Sequence, residues 1–167
     1  GSQEPGMGRK LYEAHGFIRE LFAEASEIAG FDFAALLFQS SAATLQETIN
    51  TQLAVLLTNQ AHFLVLAHRD IHPALVMGHS LGEYSALIAA RAISFADAIK
   101  VVSHRATAMQ YCIGEKKEAG EKDKIYMAAV VSRQPLDLEY ITTICTSNSY
   151  PGQEVTIAND NSPCQVV

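Results

Sequence analysis

Pro73-Ala74-Leu75-Val76-Met77-Gly78-His79-Ser80-Leu81-Gly82-Glu83-Tyr84 reads as a short buried strand, a tight turn carrying a serine, and the start of a helix. The apolar residues from Ala74 to Met77 make a strand-length run that stops at Gly78. Beyond the turn, Glu83-Tyr84-Ser85-Ala86-Leu87-Ile88-Ala89-Ala90-Arg91 is rich in good helix formers. The pattern predicts Ser80 at a strand-to-helix elbow. Such an elbow is sharp and strained, so small residues are expected two before and two after the serine, where Gly78 and Gly82 stand. Ser80 then lies at a helix N-terminus, where unpaired N–H groups and the helix dipole stabilise an oxyanion. The Leu81 backbone amide is the expected donor, and Glu83 in the first helical turn suits the dipole. Gly-x-Ser-x-Gly alone also fits an ordinary turn; the flanking strand and helix make Ser80 a candidate nucleophile.

The 167 residues suffice for about one domain with a real core. With 49% apolar and 18% charged residues, the composition is that of a soluble globular protein. The uncharged stretch from Thr51 to His68 includes Gln52, Thr58, Asn59, Gln60 and His62, so it is expected to be a buried helix and not a membrane span. No basic segment followed by an apolar run and a cleavage site is seen near Gly1, so the expected location is cytoplasmic. Cys112, Cys145 and Cys164 form neither a disulfide framework nor a zinc spacing. A net charge of -6 argues against nucleic acid and against anionic membranes as partners.

Along the chain, Phe17, Ile18, Leu21, Phe22, Ala25 and Ile28 recur at three- and four-residue spacing, which predicts an amphipathic helix closed by Gly30. A second, longer helix is expected to open at Asn50 with Thr51 as its cap, carrying His62 as a core histidine. Ser94-Phe95-Ala96-Asp97 has a capping-box pattern, and Ile99, Val102, Ala106 and Met109 follow at helical spacing. Glu115 to Lys124 mixes acidic and basic residues with no apolar period and reads as an exposed linker. The domain expectation is therefore a large α/β subdomain over residues 1–120 and a smaller one over 121–167. In the latter, strands are expected over 125–131, 154–158 and 165–167, with a helix over 136–145.

Gly78-His79-Ser80-Leu81-Gly82-Glu83-Tyr84-Ser85-Ala86-Leu87 resembles the nucleophile motif of malonyl-CoA:acyl carrier protein transacylases. The same motif is found in the acyltransferase domains of fatty acid and polyketide synthases. Three further stretches carry the resemblance. Gly1-Ser2-Gln3-Glu4-Pro5-Gly6-Met7-Gly8 resembles the family's N-terminal Gly-x-Gly-Ser-Gln-x-x-Gly-Met loop. Asp97 to Ala106 is similar to the segment in which an arginine binds the malonyl carboxylate, and Arg105 holds that position. Asn159 to Val167 resembles Asn-x-Asn-Ser-Pro-Gly-Gln-Val-Val with Cys164 in place of glycine, which puts the turn geometry there in question.

The resemblance implies an α/β fold: part of a hydrolase-like parallel-sheet domain with a nucleophile elbow, followed by the start of a small ferredoxin-like subdomain. It implies Ser80 as nucleophile with the Leu81 amide as oxyanion donor, and Arg105, His79 and Gln3 as substrate-binding residues. It implies no metal and no bound cofactor. The substrate would be malonyl-CoA, and the partner an acyl carrier protein presenting its phosphopantetheine thiol to a monomeric enzyme. Malonyl selectivity has a physical basis in Arg105. A guanidinium–carboxylate fork is worth about 1.5–3 kcal/mol, roughly ten- to a hundredfold over acetyl, and lysine cannot copy it.

A serine needs a base, and none of His15, His62, His68, His72, His79 or His104 matches the family's catalytic histidine. The resemblance covers the N-terminal half of the family's catalytic domain. It therefore implies a base beyond Val167 and a second oxyanion donor, a glutamine, before Gly1; this segment alone is expected to be inactive. Three other readings share these residues. A polyketide-synthase or malonate-decarboxylase acyltransferase would use the same serine and arginine. A serine esterase would use the elbow but not Arg105. A truncated, non-catalytic carrier-binding fragment would use neither.

Overall fold

The computed structural model describes residues 3–118, 127–152 and 154–167. The chain divides into two compact units, Gly1–Tyr111 and Cys112–Val167. The division lies nine or so residues before the boundary expected after residue 120, within a helix that continues through it.

The first unit is helical among its described residues. It contains α1 (Arg9–Ala14), α2 (Gly16–Ala29), α3 (Phe33–Gln39), α4 (Ala42–Gln46), α5 (Thr48–Ala67) and α6 (Gly82–Ala89), and α7 (Phe95–Glu118) begins in it. The centre of its core is α5, which packs against α2, α3, α4 and α6. Leu53, Ala54, Leu56, Leu57 and Ala61 of α5 are buried, as expected of a helix covered on several sides. The amphipathic pattern over 17–28 folds as α2, with Ile18, Leu21, Phe22 and Ala25 buried and Gly30 closing the helix at φ 77°. Glycine takes that left-handed conformation without steric cost. Asp32 caps α3 by accepting the Ala35 amide at 3.0 Å. Ser94 caps α7: its Oγ accepts the Asp97 amide at 3.0 Å and donates to Asp97 Oδ2 at 2.7 Å.

Several expectations are corrected in this unit. Residues 75–78 run without strand pairing, and Leu75 and Met77 are 77% and 83% exposed. A strand exists through its neighbours, and no described segment hydrogen-bonds alongside this one. Thr51 is not a cap; α5 starts at Thr48, and the Thr51 hydroxyl donates to the Leu45 carbonyl at 2.6 Å. His62 lies on the exposed side of α5, with Nδ1 2.8 Å from the Thr58 carbonyl. The charged stretch starting at Glu115 continues α7 as far as Glu118, consistent with the helix propensity of Glu and Lys. The rest of that stretch lies outside the described residues. Among the described residues, no helix is long and apolar enough to cross a membrane.

The second unit contains β1 (Val130–Val131), α8 (Leu138–Ser147), β2 (Asp160–Ser162) and β3 (Gln165–Val166). Its sheet has the order β1-β3-β2 with both pairs antiparallel, so no parallel pairing is found among the described residues. Val130 faces Val166 and Val131 faces Gln165. The helix begins two residues later than the apolar pattern suggests, because Asp137 caps it by accepting the Tyr140 amide at 2.9 Å. The strand expected over 154–158 is displaced to β2. Ser149 Oγ accepts the Val155 amide at 2.9 Å, and backbone pairing with Val167 starts only at Ala158 and Asn159. Of the strand expected over 125–131, residues 125 and 126 lie outside the described residues, and pairing is confined to β1. Cys164 does not occupy the left-handed region, so its turn has no need of glycine; its amide donates to Ser162 Oγ at 3.2 Å.

Phe22 is 2% exposed, whereas Ser94 acts only as a cap at an exposed helix start. Phe22→Ala is expected to cost about 3–5 kcal/mol of unfolding free energy, and Ser94→Ala about 1 kcal/mol. Urea unfolding of the two variants checks both values, and a larger loss for Ser94→Ala would contradict this account of the core.

Candidate active site

Ser80 adopts φ 53°, a left-handed conformation that costs a non-glycine residue roughly 1–3 kcal/mol. The chain reverses so tightly there that a Cβ on Gly78 would overlap the carbonyl group of Gly82 and the amide of Glu83. Glycine at 78 is therefore a steric requirement of the turn. The expectation for Gly82 is corrected: apart from its chain neighbours and its own helix backbone, nothing among the described residues lies within 4 Å of where its Cβ would sit. Three successive i to i+3 bonds lead into α6: Gly82 N to His79 O at 2.9 Å, Glu83 N to Ser80 O at 3.3 Å and Tyr84 N to Leu81 O at 3.1 Å. These use the amides after Leu81. The Leu81 amide donates to no acceptor among the described residues. The Ser80 side chain is exposed at this turn.

Arg105 reaches Ser80 from α7. The Arg105 Nη2 donates to Ser80 Oγ at 3.1 Å, and its Nη1 donates to Gln52 Oε1. Gln52, on α5, is 6% exposed and gives its Nε2 to Met109 Sδ at 3.3 Å. The guanidinium also lies 5.9 Å from the centre of the Tyr84 ring, at the outer range of a cation–π contact. Three helices thus converge on one cation: α5 through Gln52, α6 through Tyr84 and α7 through Arg105. Among the described residues, no carboxylate pairs with Arg105. A half-buried cation beside a hydroxyl, with no carboxylate partner among the described residues, can attract an anionic group, since a nearby opposite charge gains most where water is partly excluded.

Of the residues singled out from sequence, Ser80 and Arg105 are brought into contact. The His79 side chain is exposed and makes no hydrogen bond among the described residues, although its carbonyl holds the Gly82 amide. Gln3 is half-buried in the loop before α1. No histidine among the described residues hydrogen-bonds Ser80. Gln52, Tyr84 and Met109 were not expected at the site. Gln52 did carry a signal, because an amide among the core leucines of a helix has to find a partner. Beside the turn lies a cavity of about 420 Å³ between α5, residues 75–77 and α6, lined in part by Phe63, Val76, Gly82 and Ala86. Neither Ser80 nor Arg105 lines it. Among the described residues, no group of three His, Cys, Asp or Glu could hold a metal ion.

Known proteins resemble the chain over its whole length. The chain is 40% identical to the malonyl CoA-acyl carrier protein transacylase of Escherichia coli O157:H7 over 168 aligned residues, covering 100% of this chain and 51% of that protein. It is 38% identical to the Bacillus subtilis protein of the same name, covering 100% of this chain and 50% of that one. Among solved structures, malonyl-CoA:acyl carrier protein transacylase from Xanthomonas oryzae superposes with a TM-score of 0.83 at 38% identity, covering 99% of this chain and 50% of that one. A malonyl-transacylase in complex with its type II PKS acyl-carrier protein gives the same TM-score, 0.83, at 38% identity and the same coverage. These neighbours are α/β proteins, and the chain spans about half the length of the curated relatives it matches. The match to the acyl transferase domain family runs over residues 1–149, most of the sequence, and the chain belongs to that family.

Proposed function

We propose that the protein is a malonyl-CoA:acyl carrier protein transacylase acting in fatty acid synthesis, and that this chain supplies its serine and its carboxylate receptor. The observation that carries this reading is the 3.1 Å hydrogen bond between Arg105 and Ser80, made by a guanidinium with no carboxylate partner among the described residues. A hydrolase acting on uncharged esters has no use for such a cation, which weighs against the serine esterase reading.

In the first half-reaction, Ser80 Oγ gives its proton to a base outside this chain and attacks the thioester carbonyl of malonyl-CoA. The carbonyl oxygen takes the negative charge and is met by the Leu81 amide, which has no acceptor among the described residues. The carbon–sulfur bond then breaks, the proton returns to the CoA sulfur, and malonyl remains as an ester on Ser80. Its carboxylate replaces Ser80 Oγ as the acceptor of Arg105 Nη2. In the second half-reaction the phosphopantetheine thiol of the acyl carrier protein attacks the ester, and Ser80 regains its hydrogen. No cofactor or metal is needed by either step.

The finer structural expectations fit the same proposal. The positive φ of Ser80 and the steric demand at Gly78 support a nucleophile elbow of the hydrolase kind. Exposed Leu75 and Met77, unpaired among the described residues, suit a strand whose sheet neighbours come from elsewhere in a longer protein. The sheet order β1-β3-β2, with α8 between β1 and β2, suits the start of a ferredoxin-like subdomain. His79 and Gln3 are proposed as further substrate contacts, and the enzyme as a cytoplasmic monomer. Because one structural relative is complexed with a type II PKS carrier protein, carriers of both pathways belong in the assay.

In the intact protein, Ser80→Ala is expected to reduce malonyl transfer to the uncatalysed background, measured as malonylated carrier protein. Full transfer by that variant would refute the assignment of the nucleophile. Arg105→Ala is expected to lower kcat/KM for malonyl-CoA by roughly ten- to a hundredfold while acetyl transfer changes little, and Arg105→Lys should recover only part of the loss. Equal losses for malonyl and acetyl would reject the carboxylate role.

A further inference from the structure

Gln52 meets Arg105 on the side of the guanidinium away from Ser80, and its chemistry fixes the way it faces. A guanidinium has donors only, so the amide must present Oε1 to Nη1. Its Nε2 is then directed at the Met109 thioether, a weak acceptor 3.3 Å away. Turning the amide over would set its NH2 group against the cation and lose the Arg105 contact. At 6% exposure, Gln52 has little water to take over a lost partner, so the native orientation is strongly preferred. Arg105 and Met109 are four residues apart on α7 and so share a face. One amide on the core helix α5 therefore fastens two side chains of α7, one of them the long and otherwise mobile arginine.

We propose that Gln52 is the positioning residue that makes Arg105 selective for a carboxylated acyl group, by holding Nη1 so that Nη2 faces Ser80. The inference rests on the carboxylate-binding reading of Arg105 given above. Freed from Gln52, the guanidinium keeps its charge but samples orientations directed toward water. The malonyl group then meets a receptor that has to be ordered at the moment of binding. An acetyl group makes no use of the guanidinium and loses nothing.

The test compares malonyl and acetyl transfer by the intact protein, in the wild type, Gln52→Met, Arg105→Ala and the double variant. Gln52→Met keeps the unbranched shape and removes the amide. Its malonyl-to-acetyl ratio of kcat/KM is expected to fall by about tenfold, with most of the change in KM for malonyl-CoA and acetyl transfer little altered. In the double variant the ratio should fall no further than in Arg105→Ala alone, since Gln52 acts through the arginine. A merely structural role would lower both acyl transfers together. If Arg105→Ala lowers the ratio but a folded Gln52→Met does not, the role of Gln52 is overturned while the function stands. If Arg105→Ala itself leaves the ratio unchanged, the carboxylate reading fails and this inference with it. Should Gln52→Met not fold, Gln52→Leu serves: it likewise removes the acceptor for Arg105 Nη1, and an unchanged ratio in a folded Gln52→Leu would overturn the proposal.

Discussion

The guanidinium of Arg105, suspended between Gln52 and Ser80, is the interaction on which the rest of the site depends. An arginine side chain is long and gains little from lying in one place unless both ends of its fork are engaged. Here one arm is held by a buried amide on α5 and the other by the hydroxyl of a turn, while the Tyr84 ring lies within reach of its face. Burial of Gln52 requires that it be hydrogen-bonded, and the only charge-rich partner it meets among the described residues is Arg105. The polar site is thereby anchored to the apolar core, since the residues after Gln52 on α5 are among the most buried in the unit.

The turn at Ser80 is the second constraint. Left-handed backbone at a serine is unfavourable in isolation, and it persists only where the surroundings determine it. Three successive i to i+3 backbone bonds into α6 and the close approach of Gly78 to Gly82 do so. The same geometry leaves the Leu81 amide without an acceptor among the described residues and Ser80 exposed, which suits the proposed acyl-transfer role. Strain and the proposed chemistry therefore fall on one residue, and Gly78 is what allows them to coincide.

Much of this was legible in the sequence where the cause is local. The spacing from Phe17 to Ile28, with Gly30 after it, gave α2 because helix periodicity and a left-handed cap act within a few turns. Ser94 and Asp97 gave the start of α7 for the same reason. Gly-x-Ser-x-Gly located the turn, although the crowding proved to be at Gly78 and not at Gly82. What was not legible depends on partners distant in sequence. The apolar run Leu75 to Met77 has strand composition but no described neighbour to pair with, so Leu75 and Met77 are exposed. Glu154 to Ala158 looks like a strand, yet pairing begins later because the carbonyl of Val167 meets the amides of Ala158 and Asn159. Gln52 and Arg105 are 53 residues apart, and nothing in either local sequence ties one to the other.

The measurement that bears most directly on the central claim is peptide mapping by mass spectrometry after the intact protein is incubated with malonyl-CoA and quenched in acid before carrier protein is added. The account predicts a malonyl ester on the peptide containing Ser80, formed in preference to an acetyl ester when both CoA thioesters are present at equal concentration. A label on another residue, or a Ser80 ester formed equally well from both thioesters, would contradict it.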